Sequence, residues 1–189
     1  MIKRLNVIFI GILVILIFSY CKRTHIPKPR GYYQINLPEH NFQNFQFDFP
    51  FSFDYSTYSN INVINSDSSW LNIEYPSLNG KIHLSYKTVN NNLSVFLEEA
   101  HMLAYKHSSK SDGISETKYL NNEKNVYGVM YDIKGNVASS VQFFLTDSIR
   151  NFIRGALYIS VEPNKDSLAP VVQFFKEDII SLIESFNWR

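Results

Sequence analysis

Five phenylalanines stand at every second position from Phe45 to Phe53, with Pro50 set among them. Successive side chains of an extended strand point to opposite faces, so this spacing makes one face of the segment solid phenylalanine. Such a face needs a cover, because burying one ring is worth about 2 kcal/mol relative to leaving it in water. Proline cannot donate to a strand ladder, so the segment is either a sheet edge or two short strands divided at Pro50. Core packing is the expected role, and a surface groove for a hydrophobic partner is the alternative.

Downstream, WLNIEY (Trp70 to Tyr75) and KIHLSYK (Lys81 to Lys87) alternate on either side of a turn at Pro76 to Gly80, which reads as a hairpin. On its second arm Ile82, Leu84 and Tyr86 face one way, while Lys81, His83, Ser85 and Lys87 face the other and make that face wet. Asn91 and Asn92 precede Leu93, Phe96, Leu97, Ala100, Leu103, Ala104 and His107, whose three-four spacing predicts a capped amphipathic helix. Ile114 to Leu120 reads as a weak strand. Val126 to Ile133 and Val137 to Leu145 read as stronger ones, joined by the turn residues Lys134, Gly135 and Asn136. In the strand from Phe152 to Val161, Gly155 marks a bulge or a close backbone approach.

Pro163, Asn164, Asp166 and Ser167 supply a turn and a cap, and Pro170 suits the first turn of a last helix reaching about Phe186. Phe175, Ile179, Leu182, Ile183 and Phe186 form its buried stripe. Strands in the middle with a helix on each flank give an α+β domain, an antiparallel sheet with helices packed on it.

The N-terminus has a different character. Lys3 and Arg4 are followed by an apolar run from Leu5 to Phe18, interrupted only by Asn6 and Gly11, which is the order of a secretory signal. A run of roughly 12 to 15 residues is short for a ~30 Å hydrocarbon core at 1.5 Å per residue. Cys21 follows directly and is the single cysteine of the chain, so it makes no internal disulfide. Lipid attachment at Cys21 would consume a thiol that is otherwise a liability in an oxidising compartment. Phe18 and Tyr20 depart from the Leu and the small residue usual before a lipidated cysteine, and only Ser19 fits; an uncleaved signal anchor is the alternative. The basic, proline-bearing stretch KRTHIPKPRG (22–31) reads as a tether, its charge either resting near anionic headgroups or keeping the linker solvated. The expected organisation is a lipoprotein signal peptide over 1–20, a tether over 21–31 and one globular domain over 32–189.

Loss of Lys3 and Arg4 with the signal leaves a slightly acidic chain, without the basic footprint of a nucleic-acid partner. His25, His40, His83, His101 and His107 show no metal-ligand spacing, so no metal or other cofactor is expected. The sequence has no nucleophile elbow, phosphate loop or dinucleotide fingerprint. Ser139, Ser140 and Ser148 beside Asp147 read as turn and strand serines, with Asp147 capping a turn. Arg154 lies between apolar residues of a strand and is expected to pair with a carboxylate, Asp147 first, as a structural ion pair or a ligand contact. His107, Asp147 and Arg154 are the candidate interaction residues, and no catalytic residue is assigned.

PKPRGY (Pro27 to Tyr32), FPFSF (Phe49 to Phe53), IHLSYK (Ile82 to Lys87), Lys106 with His107, YGVMYDIKGNVASSVQFFLTDS (Tyr127 to Ser148), FIRGALY (Phe152 to Tyr158), PNKDSLAPV (Pro163 to Val171) and Trp188 follow one another along the chain. In these stretches the chain resembles the gliding motility lipoprotein GldD family of the Bacteroidota. The resemblance implies a lipid-anchored, non-enzymatic component needed for gliding, whose partners are proteins of the gliding and type IX secretion machinery. It also implies a cell-envelope location, the domain facing the periplasm, since Lys22 and Arg23 stand where a surface-export signal would be acidic. The element order is similar to the Mog1/PsbP-like α-β-α sandwich, a likeness of fold that carries no function. The alternative function is a periplasmic module whose pocket, near the aromatic N-terminal strands, holds a lipid or peptide.

Overall fold

The computed structural model describes residues 35–64, 69–106 and 108–189. The expected signal, Cys21, the expected tether and His107 therefore lie outside the described residues. Among the described residues, eleven strands and two α-helices follow in the order β1 (Phe42–Asn44), β2 (Phe51–Ser52), β3 (Asp54–Ser56), β4 (Asn60–Val63), β5 (Trp70–Tyr75), β6 (Gly80–Thr88), α1 (Leu93–Tyr105), β7 (Ser111–Asn121), β8 (Val126–Gly135), β9 (Val141–Thr146), β10 (Asn151–Ile159), α2 (Lys165–Ser185) and β11 (Asn187–Trp188). Seven strands form one sheet in the order β4-β5-β6-β10-β9-β8-β7, and every neighbouring pair is antiparallel. The expected α+β class with an antiparallel sheet is what the chain adopts.

The sheet is two meanders joined at its centre. β4, β5 and β6 pair in sequence, β7 to β10 pair in sequence, and β10 closes onto β6. Strand periodicity then sorts the side chains into two layers. Leu71, Ile73, Ile82, Leu84, Phe143, Leu145, Ile153 and Leu157 belong to a core shared with Val171, Phe174, Phe175, Ile179, Leu182 and Ile183 of α2. Tyr131, Ile133, Phe144 and Phe152 belong to a second, smaller core with Ala100 and Ala104 of α1. The layers are thus helix, sheet, helix.

The phenylalanine run is not divided into two strands: β1 ends at Asn44 just before it, Phe47 to Pro50 form bends, and only Phe51 and Ser52 within it are strand. β1 pairs with β3, while β2 pairs with β11 at the end of the chain. Phe45, Phe49, Phe51 and Phe53 are buried in the α2-side core, and Phe47 is exposed. Their rings continue into Phe186, at 5.7 Å from Phe51 and 6.3 Å from Phe53, and Phe186 meets Trp188 at 4.6 Å. Arg189 fixes this closure, its guanidinium donating to the carbonyls of Phe47 at 2.9 Å and Phe45 at 3.2 Å.

Three local expectations need correction. β9 begins at Val141 rather than Val137, because Val137 to Ser140 form a loop in which the Val137 N–H donates back to the Gly135 carbonyl. Pro170 sits in the second turn of α2, since Asn164 is the cap and its side chain accepts from the Ser167 N–H. Asn92 occupies the cap position of α1 but turns its Oδ1 backwards to accept from the Asn90 N–H at 2.8 Å.

Candidate functional site

Antiparallel register puts directly opposed residues on the same sheet face. Trp70 lies opposite Ser85, Ser85 opposite Arg154, and Arg154 opposite Phe144, giving a row that crosses β5, β6, β10 and β9. A neighbouring row holds Asn72, His83, Ala156 and Gln142. This is the face that α1 packs against, but the small core of α1 is centred on β8, β9 and β10. Between the helix and the uncovered strands lies a groove of about 370 Å³.

Its floor and far wall come from Trp70, His83, Ser85, Lys87, Arg154 and Tyr158, and its near wall from Phe96, Glu99 and Leu103 of α1. Trp70 is 51% exposed and stands at the rim. His83 and Tyr158 meet edge to face at 5.2 Å. Lys87 bonds Glu99 at 2.8 Å and also rests its ammonium over the Phe96 ring at 4.8 Å, an arrangement that pins both long side chains. Burial, helped by the charge of Lys81, holds the His83 imidazole below its ordinary value, so it is neutral at pH 7.

Arg154 is the unusual member. Its guanidinium donates to Gln142 Oε1 at 2.5 Å, and among the described residues no carboxylate lies within 4.0 Å of it. The expected Asp147 partner is elsewhere. Asp147 Oδ1 accepts from the N–H groups of Ile149, Arg150 and Asn151 at 2.8 to 2.9 Å, and Oδ2 accepts from Asn151 Nδ2 at 2.7 Å. Four donors saturate this carboxylate and close the β9–β10 turn, so a distant guanidinium has nothing to gain there. Burial lowers the pKa of Arg154 from its ordinary value, yet the guanidinium keeps its charge throughout the physiological range. With Lys87 it sets two cations against Glu99 in the groove.

The strands that line the groove bring none of residues 35–56 with them. The pocket is therefore not beside the aromatic N-terminal strands, whose rings are consumed in the α2-side core. Among the described residues no group of three or more His, Cys, Asp or Glu is placed to hold a metal ion. No helix among them is long and apolar enough to cross a membrane.

Two features were not singled out from sequence. Glu99 and Trp70 join the groove only through packing across elements, although the polar set His83, Ser85 and Lys87 on a central strand, facing the same way as Arg154, signalled an incompletely covered face. Asp178 lies on the apolar stripe of α2 and is 3% exposed. It accepts from the Tyr75 hydroxyl and contacts His40 Nδ1, while His40 Nε2 reaches Glu177 at 2.9 Å. The outer side of α1 carries a further surface. Val95 and Met102, seven residues apart and so nearly aligned, are 58% and 64% exposed.

Comparison with protein families finds that the model of the gliding motility lipoprotein GldD family matches residues 22–188, starting one residue after Cys21 and spanning nearly the whole described chain. A search of curated proteins finds no significant match.

Proposed function

Because the chain belongs to the gliding motility lipoprotein GldD family, we propose that it is a non-enzymatic assembly or accessory component of the gliding and type IX secretion machinery. In this reading lipid on Cys21 holds it to a membrane and the domain works in the periplasm, binding proteins of that machinery. The observation that carries it is the outer stripe of α1. A helix that buries Ala100 and Ala104 underneath while showing Val95 and Met102 to solvent has apolar surface on both sides, as an interface helix does.

The test is charge-neutral. Val95→Ser with Met102→Ser in the full-length chain is expected to abolish gliding and remove a partner recovered by crosslinking from cells, with the melting temperature of the domain unchanged. Wild-type gliding by this variant would sink the reading. A second reading, a periplasmic module that holds a small ligand, is favoured by the groove and its under-satisfied arginine.

A further inference from the structure

Beyond a docking helix, the molecule holds a cavity with its own chemistry. An arginine has five N–H donors in a planar fork, and among the described residues Arg154 bonds one side chain, through the neutral amide oxygen of Gln142. A half-buried cation so placed is stabilised by whatever anion enters the groove. Glu99 attracts the guanidinium from a distance but makes its ion pair with Lys87. Around this fork the walls are Trp70, Phe96, Leu103, Phe152, Ala156 and Tyr158, which offer carbon surface. The groove floor is a sheet face, so the main-chain donors and acceptors of β6 and β10 are spent in their own ladder. A peptide lying there would find few partners for its amide groups, whereas an aliphatic chain needs none.

We propose that the groove between α1 and strands β5, β6 and β10 binds a monoanionic amphiphile of the fatty-carboxylate class, its carboxylate on Arg154 and its chain along Trp70, Phe96 and Leu103. This rests on the ligand-binding reading above and adds to it the head-group charge, the anchoring residue and the chain class. Lys87 is spoken for by Glu99 and the Phe96 ring, and His83 is neutral, so recognition of charge falls to Arg154 alone.

The test uses full-length protein in phospholipid nanodiscs and a twelve-carbon carboxylate carrying a diazirine, photolysed and mapped by mass spectrometry, with empty nanodiscs correcting for partition. Labelling is expected at Trp70, Phe96, Leu103 or Tyr158. Arg154→Gln should weaken apparent binding about tenfold or more, as loss of a charge-assisted pair does, and the uncharged methyl ester should bind the native protein equally weakly. Ser85→Phe, which fills the floor from a half-buried position, should block labelling without lowering the melting temperature. Equal binding of acid and ester in the groove would overturn the carboxylate assignment while leaving a ligand-binding module standing. Displacement of the probe by an N-acetylated tripeptide acid at lower concentration than by dodecanoate would overturn the aliphatic assignment. Absence of groove labelling by acid and ester alike would overturn both this inference and the module reading.

Discussion

The Tyr75 hydroxyl donates to Asp178 Oδ2 at 2.8 Å, joining the end of β5 to the middle of α2 through two buried side chains. A carboxylate in an apolar stripe is costly unless its lone pairs are filled. Here Tyr75 fills one oxygen and His40, at 2.7 Å, the other, and His40 is itself stacked on Phe174 at 4.4 Å. The contact ties the segment that enters the domain to the helix that covers the sheet.

Burial pushes the Asp178 carboxyl above its ordinary value of 3.8, against the opposing pull of Tyr75 and His40, with Glu177 adding repulsion. Between 3.8 and the raised value the folded state binds more protons than the unfolded chain, so this group's contribution to stability falls as pH rises through that window. Asp178→Asn keeps an acceptor for Tyr75 and removes the ionisation. Urea unfolding from pH 4 upward should show a flatter profile for the variant, with stability at pH 7 equal to or above native. Asp178→Leu instead removes the carboxylate acceptor of the buried Tyr75 hydroxyl, leaving it only the hydroxyls of Ser56 and Ser59, and should cost about 1 to 2 kcal/mol.

Legibility followed the range of the forces involved. The hairpin at Pro76 to Gly80, the stripe of α2 and the alternation of β6 depend on neighbours within a few residues, and they were readable. The fate of the phenylalanine run was not, because its cover comes from Phe186 and Trp188, more than a hundred positions away. Arg154 was recognised as needing a partner, but the partner is set by register: Gln142 lies opposite Ala156, two residues along β10 on the same face as Arg154. Asp178 was hidden in a helical stripe that reads as apolar because its two partners, Tyr75 and His40, arrive from distant segments.

A glycine at position 155 of a strand implies a bulge or a close approach, and here it is the latter. It lies opposite Phe143 in the ladder, and a Cβ there would stand 2.2 Å from the Phe143 ring. Gly155→Ala should therefore destabilise the domain by about 2 kcal/mol through overpacking. Phe143→Leu should lose about as much by leaving a gap. Because the two residues share one space, the double variant should be less damaged than the sum of the singles, a coupling that a denaturation cycle measures directly. Strict additivity would mean that the ring moves aside freely.

Asp147 governs a different part of the pH range. Burial raises its carboxyl, but the N–H groups of Asn151, Ile149 and Arg150 and the Asn151 amide outweigh that and hold it below its ordinary value. A depressed carboxyl contributes stability that is fully present above its unfolded value of 3.8 and is lost as pH falls through the folded one. Native protein should lose stability below about pH 4 on this account, and Asp147→Asn should lack that part of the slope. At pH 7, Asp147→Ala should cost about 2 kcal/mol by freeing the turn donors, seen as a lower urea midpoint with unchanged slope.

Cys21 carries the prediction that connects the domain to its membrane. A signal-like run ends on the single cysteine of the chain, and the proposed lipid anchor places acylation on that thiol. Metabolic labelling with a clickable fatty-acid analogue should mark the native chain and leave Cys21→Ala unmarked. The native chain should also stay with the membrane through a carbonate wash. An unlabelled native protein that resists the wash would instead mean that the apolar run from Leu5 to Phe18 is retained and serves as the anchor, the outcome toward which Phe18 and Tyr20 lean. Labelling and extraction together therefore separate the two anchors by chemistry, independently of whether the domain binds a protein, a carboxylate or both.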